Sequence, residues 1–109
     1  MDEQQVHALF VRIQSFEWDE EKRKTNLREH RIDFWDARRV FDGPILSRRS
    51  DRKGEVRHLV YGFLDEKEVV IVCTFRGENC RLISARAARR DERRKYHGRI
   101  SGRSKAWED

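Results

Sequence analysis

Val69-Val70-Ile71-Val72-Cys73-Thr74-Phe75 is apolar at nearly every position and rich in β-branched residues. Alternate side chains of a strand point to opposite faces, so a segment with no polar parity has no face for water and must be covered on both sides. That places a strand over Glu68 to Arg76 at the centre of a sheet. The turn Asp65-Glu66-Lys67 precedes it and the turn Gly77-Glu78-Asn79 follows it. Links this short join only antiparallel neighbours, which predicts strands over Val56 to Leu64 and Cys80 to Ala85. A further strand over residues 45–48, followed by the charged turn Arg48 to Gly54, completes an antiparallel meander. Strict alternation on the last strand puts Arg81, Ile83 and Ala85 on one face and Cys80, Leu82, Ser84 and Arg86 on the other. On the strand before the central one, Arg57, Leu59, Tyr61 and Phe63 oppose Val56, His58, Val60 and Leu64, and either parity could face the core.

Upstream of the meander the period is helical. Residues 13–18 form a short strand leading to Asp19, an N-cap whose following Glu20 and Glu21 suit the positive end of a helix dipole. The helix extends to about His30, with Lys22, Asn26 and His30 in a polar stripe and Leu27 its one large aliphatic residue. Asp33 opens a second helix with Phe34, Ala37, Val40 and Phe41 at core spacing, and Asp36 as a partner in the manner of a capping box. Asp42-Gly43-Pro44 ends it, glycine being suited to a left-handed C-terminal residue. Downstream, Ser84 to Tyr96 contains good helix formers and no breaker, so a third helix is expected from about Ala87 to Tyr96. Residues 86, 89, 90, 93 and 94 are all arginine.

The whole is an α+β chain of 109 residues, long enough for one core. Residues 1–12 read as a loosely ordered leader, 13–97 as the single domain and 98–109 as a flexible tail. Charged residues (41%) outnumber apolar ones (37%), which leaves little material for a deep pocket. No apolar run approaches membrane-spanning length and the N-terminal residues are acidic, so a cytoplasmic protein with no membrane contact is expected. Cys73 and Cys80 lie in strands without metal-ligand spacing and read as reduced core residues, a hairpin disulfide remaining the alternative. The four histidines are scattered singly, no compact His–His or His–Glu pair is evident, and neither metal nor cofactor is expected.

Charge is distributed unevenly. Residues 1–75 carry 14 Lys and Arg against 15 Asp and Glu, whereas residues 76–105 carry 11 against 3. A one-signed field of this kind attracts a polyanion, since each neutralised phosphate releases counterions. A solvated helix face is the bland alternative, but such faces usually interleave glutamate with arginine. Metal-free cleavage of RNA needs a base for the 2′-hydroxyl, cations for the pentavalent phosphoryl group and an acid for the 5′-oxygen. Arginine fits the second role. His58, His30, Lys22, Tyr96 and Glu92 are the candidates for proton transfer. Against that stand three structural readings: His58 on a strand surface, Tyr96 docking a helix, and Glu92 pairing with neighbouring arginines.

Several strings together then carry a family resemblance: Phe16-Glu-Trp-Asp-Glu-Glu-Lys22, Asn26 through His30, Phe34 to Pro44, and Arg81-Leu-Ile-Ser-Ala-Arg86 followed by Glu92-Arg93 and Tyr96. Over roughly residues 14–97 the chain resembles BrnT, the ribonuclease half of BrnT–BrnA toxin–antitoxin modules. The resemblance implies a RelE-like fold, metal-independent endoribonuclease activity that restrains translation and growth, and neutralisation by a DNA-binding BrnA-like antitoxin. It also marks Lys22, Asn26, His30, Arg57, Thr74, Arg76, Arg81, Ser84, Arg86, Glu92, Arg93 and Tyr96. His58 stands where that family is expected to have an aromatic. The catalytic set to be tested is therefore Arg57, Arg81, Arg86, Lys22, His58, Glu92 and Tyr96, with Arg76, Arg89, Arg90, Arg93 and Arg94 binding RNA. The toxin alone is expected to be a monomer, with larger assemblies made through antitoxin dimers. The competing reading is a non-catalytic basic module that binds nucleic acid or an acidic protein.

Overall fold

The computed structural model describes residues 13–108, so the expected leader at 1–12 lies outside the described residues. Strand β1 (Ser15–Glu17) leads into α1 (Glu20–His30) and the short α2 (Phe34–Ala37), which passes into a 3-10 turn (Arg38–Asp42). Strands β2 (Leu46–Arg49), β3 (His58–Leu64), β4 (Lys67–Arg76) and β5 (Asn79–Ala87) follow, and α3 (Arg90–Glu108) ends the chain. The strand order is β1-β5-β4-β3-β2, with β4 in the middle, as its apolar parities require. The sheet is mixed rather than wholly antiparallel, because β1 lies parallel to β5. Residues 18–45 carry the chain over one face of the sheet, from the β1 edge to the β2 edge.

That face holds the larger core. Ile32, Phe34, Ala37, Val40 and Ile45 pack on Val60, Val69, Ile71, Cys73, Cys80, Leu82 and Ala85. The backbone approach is close at Gly62, where a Cβ would sit 2.6 Å from Val40 Cγ1. Both cysteines are buried free thiols, diagonal neighbours on β4 and β5. The opposite face holds a smaller cluster of Leu46, Tyr61, Val70, Ala88 and Tyr96, with Leu59 and Phe63 at its margin.

Both N-caps form as expected. The Asp19 carboxylate accepts from Glu21 N and Lys22 N, and Asp33 accepts from Trp35 N. The stop after α2 also stands, though Gly43 is extended at φ −107° and not left-handed. The 3-10 tightening of residues 38–42 has already satisfied its N–H on Val40 O, so no left-handed cap is needed.

Several other boundaries differ from expectation. Strand β3 starts at His58, which leaves Val56 and Arg57 in the ribbon that precedes it. Strand β5 extends to Ala87 because Val69 and Val70 of the longer central strand keep Ala87 and Arg86 in the ladder. Helix α3 therefore begins at Arg90, later than the Ala87 expected, and it continues to Glu108, past the expected end at Tyr96. With no proline in the way, two helical glycines cost only about 1 kcal/mol each.

Strict alternation fails on β5. Val72 pairs with Ser84 and Cys73 with Leu82, so Ile83 has no partner and forms a bulge. Cross-strand partners share a face. Arg81 opposite Thr74, Ser84 opposite Val72 and Arg86 opposite Val70 therefore share the parity opposite the larger core, while Cys80, Leu82 and Ala85 face that core.

Candidate active site

Arg81, Ser84 and Arg86 make one face of the sheet basic, and the ladder adds Arg48 opposite Leu59 and Arg76 opposite Asn79. Two charged clusters form on it. The first lies where α3 meets the sheet. Arg86 Nη1 and Nη2 donate to the two oxygens of Glu92 at 2.7 and 2.9 Å, a forked pair with both side chains mostly buried. Glu92 also accepts from Arg89 N at 2.8 Å, one half of a capping box at the start of α3. Arg86's hydrogen bonds hold the Glu92 carboxyl below its ordinary value, with desolvation opposing, and Glu92 in turn raises the guanidinium. Tyr96 packs on Tyr61 with ring centroids 5.4 Å apart. The two tyrosines, Glu92, Arg48, Leu46 and Leu59 line a small cleft.

Two residues of this cluster, Glu68 and His97, lie outside the set the sequence points to. Glu68 stands on the same face as Val70, one side-chain repeat or about 7 Å along β4. Its Oε1 is hydrogen-bonded to His97 Nδ1 of α3, and its Oε2 lies 3.8 Å from Arg93 Nε. Burial raises the Tyr61 hydroxyl above its ordinary range, and the Glu68 carboxylate adds to that, so Tyr61 stays a neutral donor. Arg90, Arg93 and Arg94 surround the His97–Glu68 pair in a shallow depression. The pair joins residues 29 positions apart, which no motif could show.

The second cluster lies toward the β1 end. Arg81 Nη1 donates to Glu17 Oε2 at 2.9 Å, and Arg57 Nε donates to Glu55 Oε1 at 2.7 Å. Thr74 Oγ1 donates to Val56 O at 2.7 Å and so fixes the ribbon that carries Glu55 and Arg57. The Arg57 hydrogen bond lowers the Glu55 carboxyl against desolvation, helped by the charges of Arg57, Arg76 and Lys22. Arg81 and Arg86 oppose Thr74 and Val70, four residues apart on β4 or about 13 Å. The arginines expected to act together thus divide between two clusters.

Other expected site residues lie elsewhere. His58 faces the core parity opposite Cys73, with its ring 5.5 Å from Phe75, and burial lowers its pKa. It is not on the basic face. Asn26 is buried and fully occupied. Its Nδ2 donates to Ile32 O and Ala85 O, each at 2.9 Å, and its Oδ1 accepts from Ala85 N at 3.0 Å. Lys22 and His30 are exposed and line an open groove with Ser84 between α1 and β5. Arg89, Arg90 and Arg94 are exposed on α3. Among the described residues no helix is long and apolar enough to cross a membrane.

The model of the family described as the ribonuclease toxin BrnT of type II toxin–antitoxin systems matches residues 18–92. A 1.1 Å crystal structure of the Brucella abortus ribonuclease toxin BrnT is similar to this chain, with a TM-score of 0.56 at 26% identity. The similarity covers 70% of this chain and 97% of that one. Among curated proteins none matches the sequence.

Proposed function

The chain belongs to the BrnT family of ribonuclease toxins of type II toxin–antitoxin systems, and on that premise we propose that it is a metal-independent endoribonuclease with a RelE-like domain over residues 13–97. Cutting RNA in the cytoplasm restrains translation and growth, and a DNA-binding antitoxin of the BrnA kind holds the activity in check.

The observation that carries this reading is the bulge at Ile83, which turns Arg81, Ser84 and Arg86 to one face, beside the arginines of α3. A strand of RNA laid across that face meets cations at both ends. Arg86 keeps its fork fixed by Glu92 and offers its remaining donors to a phosphoryl oxygen. Tyr61 and Tyr96, buried against each other, support the floor of the cleft beside Glu92. Charge gathering on the pentavalent phosphorus is stabilised by groups already in position, which is where such sites gain most of their rate.

Arg57, Arg81 and Arg86 are each paired with a carboxylate, as they would also be in a non-catalytic basic module. Incubation of purified protein with RNA in EDTA separates the two readings. Cleavage in EDTA that is lost in a folded Arg86→Ala variant supports the enzyme. RNA retained without cleavage supports the module.

The antitoxin is proposed to cover the same face with acidic and apolar residues, inhibiting by occupation. The toxin alone is a monomer in this reading, and larger assemblies form through antitoxin dimers. Charge reversal at Arg89 and Arg93 should then weaken RNA and antitoxin binding together, whereas unchanged antitoxin affinity would mean separate sites.

A further inference from the structure

We propose that His97, oriented by Glu68, is the general base of this enzyme; the inference rests on the endoribonuclease reading and names the proton acceptor within that site. Four observations converge on it. The Nδ1–H of His97 donates to Glu68 Oε1, and Nε2 has no hydrogen-bond partner among the described residues. That fixes the tautomer and leaves Nε2 as the acceptor. The Glu68 side chain is only 14% exposed against 54% for His97, so a packed carboxylate holds an imidazole that stays open to a substrate. The Phe63 ring, 6.2 Å from the imidazole, bounds it on the sheet side. Arg90, Arg93 and Arg94 line the depression in front of it, donors suited to the oxygens of a phosphodiester.

The composition of the pair is informative in itself. Any of those three arginines would neutralise Glu68 permanently, and Arg93 stands 3.8 Å from its second oxygen. The group hydrogen-bonded to it is instead an imidazole, the side chain most often used for general acid–base transfer. His97 also lies outside residues 18–92, where the family model matches.

In the step proposed, Nε2 takes the proton of the 2′-hydroxyl as the 2′-oxygen–phosphorus bond forms and the phosphorus–5′-oxygen bond breaks. The departing 5′-oxygen takes a proton from water, and the imidazolium returns its own to solvent. The products are a 2′,3′-cyclic phosphate and a 5′-hydroxyl. Glu68 touches no reacting atom and acts as a positioning residue.

The test measures single-turnover cleavage of an RNA oligonucleotide in EDTA by the full chain, His97→Ala and Glu68→Gln, with binding of the non-cleavable 2′-deoxy oligonucleotide as control. His97→Ala should cleave roughly 100-fold or more slowly while binding within about threefold of the parent. Added imidazole should restore cleavage in proportion to its free-base concentration. Glu68→Gln keeps a hydrogen-bond acceptor but loses the charge, so it should lower the saturating single-turnover rate about tenfold with the half-saturating concentration held.

If the parent cleaves and His97→Ala keeps pace with it, the base is another group and the endoribonuclease reading stands. If His97→Ala loses cleavage and binding together, without rescue by imidazole, His97 is a phosphate ligand and the proposal falls. If the parent does not cleave RNA at all, the activity reading fails first and this one with it.

Discussion

Helix α1 and helix α3 each set polar side chains against the sheet, and the two sets do opposite things. On α1 the stripe reaches the sheet through Asn26, whose amide takes up the backbone N–H and C=O of Ala85 and the C=O of Ile32. Strand β1 pairs with β5 only from Asn79 to Arg81, so Ala85 lies beyond it and Asn26 substitutes for a missing neighbour. Every donor and acceptor there is matched, and none remains for a ligand. Where α3 meets the sheet the polar groups are charged and over-supplied with donors: Arg86 of β5 and the exposed Arg90, Arg93 and Arg94 of α3 share the neighbourhood of the mostly buried Glu68 and Glu92. A matched neutral network holds a fold together, whereas an unbalanced charged one leaves field and donors for a substrate.

Asn26→Ala should break this contrast first if it is wrong. The substitution strands three backbone groups in the interior and should cost about 2–4 kcal/mol in urea unfolding. Cleavage per folded molecule should be unchanged; a selective loss of activity would place Asn26 in the chemistry.

Glu92→Gln sharpens the other side. Loss of the ionic fork to Arg86 should cost about 1–2 kcal/mol at neutral pH. Arg86 depresses the native carboxyl of Glu92 below its ordinary 4.5. The stabilisation is therefore complete above that ordinary value and is lost as the pH falls through the lower native one. The parent should lose stability over that acid window more steeply than Glu92→Gln, and parallel pH profiles would mean the fork contributes nothing to the fold. The same field predicts that binding of the 2′-deoxy oligonucleotide falls steeply as salt is raised. Affinity indifferent to salt would count against a surface that reads the RNA backbone.

The smallest effect is expected at His30, which is exposed on the α1 groove. His30→Ala should shift stability by less than about 0.5 kcal/mol and leave cleavage within about twofold. A large loss of cleavage would move the reacting groups to the α1 side.

Local signals in the sequence reached a long way into this structure. Central β4 was legible because both its parities are apolar, and the starts of α1 and α2 because aspartate caps each. The basic character of the stretch that enters α3 was equally plain from the arginines at 86, 89, 90, 93 and 94. What failed was whatever depends on a distant partner. No period announces that Ile83 drops out of the ladder, since only the register of β4 against β5 decides it. Glu68 and His97 each look like ordinary solvated residues until β4 and α3 are brought together. His58 seemed a usable base because its strand carries apolar residues at both parities, and only the sheet shows that its own parity faces the core. Asn26 stood out only as one member of the polar stripe Lys22, Asn26 and His30 on a helix short of apolar residues, and its use is structural.

The bulge makes β5 sensitive to its length in an asymmetric way. Arg81 and Arg86 stand an odd number of positions apart, so a plain strand would send one of them into the apolar layer; the unpaired Ile83 restores the parity. Deleting Ile83 would leave a regular ladder with both arginines still on one side. Inserting a residue in the same stretch without a second bulge would drive one guanidinium inward and one small core residue out. Sequence drift at this site is thus constrained less by which amino acid is present than by how many there are, and losses are tolerable where gains are not.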